Sequence, residues 1–286
     1  MSSRCYRFKL GDLICACLSD GSWDYPLQTL FSNVPQIQIR EALGLHGRQK
    51  GYVTTPYTNL YVNTGEHQVL VDTGAGGLLA PRAGRLLRSM NEAGIEPHQI
   101  DTVIMTHAHP DHIGGALDDE GRTAFARARF YISNDEWSFW FSDAAMARAP
   151  GRHVRVARRY LEPIRDRVTL LRGESEILPG LRAVPAPGHT PGHIAVEVAS
   201  AGKVLLYIGD VAVHPLHLEY RDWAPIYDIL PEQAAASKHR IFDRAAARKA
   251  LVLGQHFSPF PSLGTVVKKG EGWQWQPVEV GDAGQP

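Results

Sequence analysis

Short apolar runs broken by turn residues set the rhythm of this chain. The run RFKLGDLICACLSDGS (7–22) reads as a strand ending in a turn at Asp20-Gly21. NLYVNTGEHQVLVDTGAG (59–76) reads as two strands about a Thr64-Gly65 turn. LLAPRAGRLLRSMNEAG (78–94) has helical spacing and stops at Gly94. IDTVIMTH (100–107) and ARFYIS (128–133) are short buried strands, and NDEWSFWFSDAAMA (134–147) is helix-like with Asn134 as its cap. In the second half, LRAVPAP (181–187), HIAVEVAS (193–200), KVLLYIGD (203–210) and ALVLGQH (250–256) read as strands. PEQAAASKHRIFDRAAARK (231–249) is a helix with Pro231 near its first position, and TVVKKGEGWQW (265–275) is a terminal hairpin.

Two stretches carry less pattern. Residues 23–50 are irregular, with Pro26, Pro35 and the apolar patches PLQTLF and VPQIQI, and form an embellishing arm or a loop over something. Residues 148–172 are rich in arginine (Arg148, Arg152, Arg155, Arg158, Arg159, Arg165, Arg167, Arg172) at spacings that fit a solvated helix face. Each half of the chain places strands before helix, which suits two sheets with helices outside. Strand ends and loops then share one cleft. There is no repeat, no low-complexity segment and no linker, so 1–286 is expected to form one domain.

Composition narrows the classes. The 286 residues carry 30 Lys+Arg against 30 Asp+Glu, so bulk charge points to neither a nucleic-acid nor a membrane partner. The cysteines, Cys5, Cys15 and Cys17, are odd in number and crowd the N-terminus; a reducing compartment fits better than a disulfide framework. Cys15 and Cys17 share one face of a strand and are expected to pack. The first 21 residues lack the long uncharged core of a secretory leader. No apolar stretch approaches the ~20 residues of a membrane helix. The expectation is a cytoplasmic protein.

The chemistry sits at MTHAHPDHIGG (105–115). His107 and His109 lie two apart on an extended chain leaving a strand, so both can point at one spot. Asp111 and His112 follow Pro110 and, being adjacent, suit a second spot. Gly114 and Gly115 are expected to let the backbone turn tightly. Imidazole and carboxylate are ligands that zinc accepts. A binuclear site needs more. APGHTPGH (186–193) is a turn-rich loop from which His189 or His193 can project. Asp210 ends the apolar run VLLYIGD, and His256 ends ALVLGQH. A strand-end aspartate or histidine alone carries little weight; together with HAHPDH they carry much.

H-A-H-P-D-H, P-G-H-T-P-G-H, G-D and a late histidine, in that order, resemble the metallo-β-lactamase superfamily over about residues 55–262. The resemblance implies an αββα sandwich, two mixed β-sheets with helices on the outer faces. It implies that His107, His109 and His189 bind one metal, that Asp111, His112 and His256 bind a second, and that Asp210 bridges both. His193 would then lie behind the ligands or be structural, and Asp72 in VDTGAG would orient ligands from behind. LGDLICACLSDGSWDYPLQTLFSN resembles the N-terminal arm of methyl parathion hydrolase and related lactonase-like hydrolases, and NDEWSFWFS and AAASKHRIFDRAA are similar to that group too. This places an arm at about residues 12–50 and implies a homodimer in which the arm packs on a second subunit.

The activity implied by the resemblance is that of a binuclear metal-dependent hydrolase. Two divalent ions about 3.5–4 Å apart would hold a hydroxide that attacks a carbonyl or phosphoryl centre. Zinc is the first expectation, and iron, manganese and cobalt accept the same donors. Asp210 would hold the two ions together during the reaction, and Asp111 would carry a proton to the leaving group. The substrate would be a small-molecule lactone or ester, as for acyl-homoserine lactonases, or alternatively an aryl phosphotriester (organophosphate). Aromatic candidates for the pocket are Trp23, Trp137, Trp140, Phe141, Trp223, Tyr227 and Phe257; Trp223 and Phe257 stand nearest ligands in sequence. Many such lactonases carry a tyrosine three residues after the bridging aspartate, where this chain has Val213 followed by His214. Tyr220 or Tyr227 could substitute, and His214 could polarise a carbonyl.

Rivals fit less well. Thioesterases of the glyoxalase II type add a C-terminal helical domain, and about 30 residues follow His256 here. Nucleic-acid-processing relatives add a basic insert. True β-lactamases commonly have cysteine where Asp210 stands. The di-iron electron-transfer relatives need a glutamate where His109 stands. A non-catalytic metal-binding module tends to lose ligands, and all seven positions are filled.

Overall fold

A computed structural model of the chain describes residues 4–45, 50–118 and 120–279. Among the described residues, fourteen strands form two seven-stranded sheets. The first holds β1 (Cys5–Leu10), β2 (Leu13–Pro26), β3 (Tyr52–Asn63), β4 (Gln68–Val71), β5 (Thr102–Ile104), β6 (Arg129–Ser133) and β7 (Val168–Leu171) in chain order. The second holds β8 (Ser175–Leu178), β9 (Leu181–Pro185), β10 (Ile194–Ser200), β11 (Lys203–Tyr207), β12 (Leu251–Leu253), β13 (Leu263–Lys269) and β14 (Gly272–Pro277), again in chain order. β4 to β7 pair in parallel, as do β11 and β12; the other neighbours are antiparallel. The helices are α1 (Leu27–Leu30), α2 (Gln36–Ala42), α3 (Leu86–Glu92), α4 (Pro110–Ile113), α5 (Asn134–Phe141), α6 (Asp143–Arg148), α7 (Gly151–Leu161), α8 (Leu216–Glu219) and α9 (Pro231–Ala247).

Alternation along the strands builds the layers. Val69 and Val71 of β4 face the second sheet and pack with Val196, Leu205 and Tyr207. Leu70 between them faces outward, into a cluster with Met90 of α3, Trp140 of α5 and Leu161 of α7. In β11, Leu205 and Tyr207 point inward while Val204 and Leu206 meet Ile241, Phe242 and Ala245 of α9. This is the expected αββα sandwich. Cys15 and Cys17 lie buried in the layer between the sheets. Among the described residues no helix is long and apolar enough to cross a membrane.

Several boundaries differ from the sequence reading. Residues 7–22 are not one strand: the chain reverses at Gly11, at φ +59°, between β1 and β2. Asp20-Gly21 is no turn but a shift of register inside β2. Asp20 is buried there because its carboxylate accepts the backbone N–H groups of Ala75, Gly84 and Leu86, which tie β2 to the segment after β4. The irregular stretch from residue 23 continues β2 to Pro26 and then forms α1 and α2, covered by Leu27, Phe31 and Ile39 against Val213. The cap of α5 is Ser133, whose Oγ accepts the Asp135 N–H, rather than Asn134. The arginines of α6 and α7 mostly face solvent, as expected, but Arg158 donates to the carbonyls of Trp140 and Ser142, and Arg152 reaches the central cavity.

Candidate metal centre

The ligand-type side chains lie on the segments that follow β5, β9, β11 and β12. After β5 the chain passes through His107 to His109, which has extended torsions, and α4 starts at Pro110. The His112 N–H closes onto the His109 carbonyl, so Asp111 and His112 ride on a single helical turn. Gly114 and Gly115 serve this turn by close approach rather than by unusual torsions. A Cβ on Gly115 would stand 2.0 Å from the Thr73 carbonyl oxygen, and one on Gly114 would stand 2.2 Å from that of Ala75.

Asp72, just past β4, is buried with φ at 58°, a torsion that costs energy for a residue with a Cβ. Its two oxygens explain the torsion. Oδ1 accepts the Thr106 N–H at 2.8 Å; Oδ2 accepts the Thr106 hydroxyl and His112 Nδ1–H, both at 2.8 Å. With Nδ1 engaged, His112 turns Nε2 toward the cluster.

Asp210 follows β11 and stands at the middle. Its Oδ2 lies 3.2 Å from His189 Nε2 and 3.9 Å from His107 Nε2. Its Oδ1 lies 3.3 Å from His112 Nε2 and 3.2 Å from His256 Nε2. Asp111 completes the second side, with Oδ2 3.4 Å from His256 Nε2. Donor atoms of His107, His109, His189 and Asp210 all lie within 4.8 Å of one another, and those of Asp111, His112 and His256 likewise. His193 faces elsewhere: its Nε2 accepts the Asp210 N–H at 3.0 Å and so holds the backbone of the central aspartate.

The donor set suits divalent ions. His107 Nε2, His112 Nε2 and Asp210 Oδ1 are buried and make no hydrogen bond, and all three point into the cluster. Burial, and then neighbouring imidazoles, hold His107 and His109 well below the usual histidine range, so both are neutral bases. Burial opposes charge on His189 as well, but Asp210 and Asp228 outweigh it and push it up to about 10. Burial also opposes the Asp210 carboxylate, and His256, His112 and His189 outweigh it and hold it well below the usual range. A divalent cation in the cluster would answer the Asp210 carboxylate in place of the His189 Nε2 proton, while the Nδ1–H stays on Asp228.

A cavity of about 150 Å³ opens over Asp111, His109, His189 and Asp210. Its walls are Trp23, Tyr25, Tyr57, Leu79, Arg152, His153 and Tyr227. Trp23 and Tyr227 are among the aromatic candidates; the others carry no local signal. Trp223, Phe257 and His214 do not line it. Proximity in sequence misleads there because the chain turns away after each ligand. Trp223 and His214 set their edges against Phe31 under the arm, and Phe257 is buried beneath the second sheet against Trp275. Tyr220 stacks on Trp223 and is 41 % exposed, while Val213 is buried in the arm's cluster. Trp137, Trp140 and Phe141 pack in the helix layer.

Two buried carboxylates escape the sequence reading. Asp228 accepts His189 Nδ1–H at 2.9 Å. Glu136 accepts hydrogen bonds from both histidine loops. A signal for Glu136 exists: it shares the buried face of α5 with Phe139 and Trp140, where the period calls for an apolar residue.

The chain resembles known proteins over most of its length. The N-acyl homoserine lactonase of Bacillus thuringiensis subsp. kurstaki is 25 % identical over 216 residues, covering 68 % of this chain and 78 % of its own. A structure described as the hydrolase AbOPH in the beta lactamase superfamily superposes with a TM-score of 0.90 at 28 % identity, over 99 % of this chain and 100 % of its own. AidC, described as a dizinc quorum-quenching lactonase, superposes with a TM-score of 0.90 at 27 % identity, over 97 % and 98 % of the two chains. Residues 53–256 match the metallo-beta-lactamase superfamily, to which this chain belongs as a metal-dependent hydrolase.

Proposed function

We propose that this chain opens a lactone or cleaves an ester of a small molecule, as an acyl-homoserine-lactonase-like enzyme with two zinc ions. The observation that carries the reading is Asp210, whose two oxygens each face one histidine set on the floor of an aromatic-walled cavity. In this reading His107, His109 and His189 hold one ion, Asp111, His112 and His256 the other, and Asp210 both. Two divalent ions in such a site supply Lewis acidity to a substrate oxygen and lower the pKa of water. Asp72 and Asp228 orient imidazoles from behind, and His193 holds the backbone of Asp210. Asp111, the most solvent-open of the seven side chains, would take up the proton that the attacking water gives up and pass it to the leaving oxygen. The lactonase names among the relatives favour the carbonyl substrate.

Aryl phosphotriester hydrolysis is the second reading. The aromatic rings of Trp23, Tyr25, Tyr57 and Tyr227 along the cavity suit an aryl leaving group as well as an acyl chain. Buried and unbridged Cys15 and Cys17 accord with a reducing, cytoplasmic setting. A homodimer through the arm belongs to the same reading, and a monomeric mass in solution scattering would end it.

The deciding experiment measures kcat/KM of zinc-reconstituted protein on an acyl-homoserine lactone, an aryl ester and an aryl phosphotriester, each with a chelated control. A lead of orders of magnitude for the lactone supports the first reading. A lead for the phosphotriester replaces it with the second.

A further inference from the structure

Glu136 is fully buried on α5, and among the described residues no cationic side chain pairs with it. Four donors surround its carboxylate instead. Oε1 accepts the Ala108 N–H at 2.9 Å and the Trp140 Nε1–H at 2.6 Å. Oε2 accepts the Thr190 hydroxyl at 2.6 Å and the Gly192 N–H at 3.1 Å. Three of these donors have no lone pair to offer, so the ionised carboxylate is the form that fits.

The placement of the donors is the telling feature. Ala108 stands between His107 and His109. Thr190 directly follows His189. The backbone is shaped for the contact as well: a Cβ on Gly192 would lie 1.9 Å from the Glu136 nitrogen, so only glycine lets this loop reach the start of α5. The Trp140 ring, fixed by the same carboxylate, meets the His109 ring in a T-shaped contact with centroids 5.7 Å apart. Glu136 thus holds backbone next to all three histidines of one ligand cluster. The other cluster takes no hydrogen bond from Glu136: Asp72, which also reaches His107 through the Thr106 hydroxyl, supports His112, and the Pro56 carbonyl supports His256.

We infer that Glu136 is a positioning residue for one metal site only, holding His107, His109 and His189 in mutual register while leaving Asp111, His112 and His256 untouched. This rests on the reading of the two clusters as two metal sites. It also explains why the residue is a carboxylate. A glutamine would put an NH2 group against two donors on one side. Its NH2 could donate to the Thr190 hydroxyl but not to Gly192, so the His189 loop is the one released.

The test titrates the full-length, metal-stripped protein with Co2+ against a competing chelator, following the visible absorption of each binding step. Wild type should take two ions. In Glu136→Gln one step should weaken by about 10–100-fold with an altered spectrum, while the other stays unchanged. Thr190→Val, which leaves three donors and the carboxylate in place, should weaken the same step by less, and it keeps the test decisive where Glu136→Gln folds poorly. Equal weakening of both steps in Glu136→Gln and Thr190→Val, or no change in either variant, overturns the inference. Wild type taking fewer than two ions overturns the two-site reading, and the inference falls with it.

Discussion

His189 donates its Nδ1–H to Asp228 across 39 positions of sequence, at 2.9 Å and almost out of reach of water. The backbone secures the pair: the Ile229 N–H reaches the His189 carbonyl, and the Leu230 N–H reaches that of Gly188. With Nδ1 engaged, Nε2 faces Asp210. Asp228→Ala is therefore expected to lower metal affinity about 10–100-fold. Chelator competition on wild type and variant measures it, and equal affinities would show that the imidazole needs no such support.

Tyr25 and Tyr57 share one hydrogen bond, 2.5 Å between their hydroxyl oxygens, on the cavity wall. Tyr57 is fully buried and has no other hydrogen-bond partner among the described residues, so its proton is satisfied by donating to Tyr25. The Tyr25 proton is then free for a substrate oxygen. Loss of one neutral hydrogen bond is worth about 0.5–1.5 kcal/mol. Tyr25→Phe should lower kcat/KM roughly three- to tenfold with metal content unchanged. Steady-state kinetics alongside metal analysis decides; an unchanged kcat/KM removes Tyr25 from substrate contact.

Metal removal should destabilise the fold, not only silence the activity. Ions that bind the folded chain alone add stability by mass action, about 2.7 kcal/mol per site at a free concentration of 100 Kd. The melting temperature should fall on chelation and climb with added Zn2+. A melting temperature indifferent to zinc would count against closely built ligand clusters.

Asp210 and His256 are legible in the sequence because each ends an apolar run, and a strand end at a sheet rim is where a polar side chain meets a cleft. HAHPDH is legible because four ligand-type side chains crowd six residues behind a buried strand. The layers are legible from alternation in runs such as QVLV and KVLLY. Asp20 is not: a turn and a bulge use the same Asp-Gly pair, and only the distant N–H groups of Ala75, Gly84 and Leu86 settle which forms. The cavity wall is not legible either. Tyr25 and Tyr57 meet Tyr227 and Arg152 only after strands, arm and helices have folded together, and no local pattern encodes that meeting.

His214 offers a pH test away from the metal ligands. It is buried under the arm, edge-on to Phe31, and its Nδ1 accepts the Leu216 N–H at 3.1 Å. Burial pushes it down from 6.5 to about 4, so the neutral imidazole is the folded form. Its unfolded counterpart binds a proton near pH 6.5 and the folded one does not until about pH 4. The stability it contributes is therefore complete above pH 6.5 and is lost as the pH falls toward 4. The substitution His214→Asn keeps an acceptor for the Leu216 N–H and removes the titrating group. Stability by urea denaturation should fall less steeply in the variant across that window, by up to about 1.4 kcal/mol per pH unit. Above the window the two curves should run parallel. Parallel curves throughout would mean that this imidazole is protonated as readily in the folded chain as in the unfolded one.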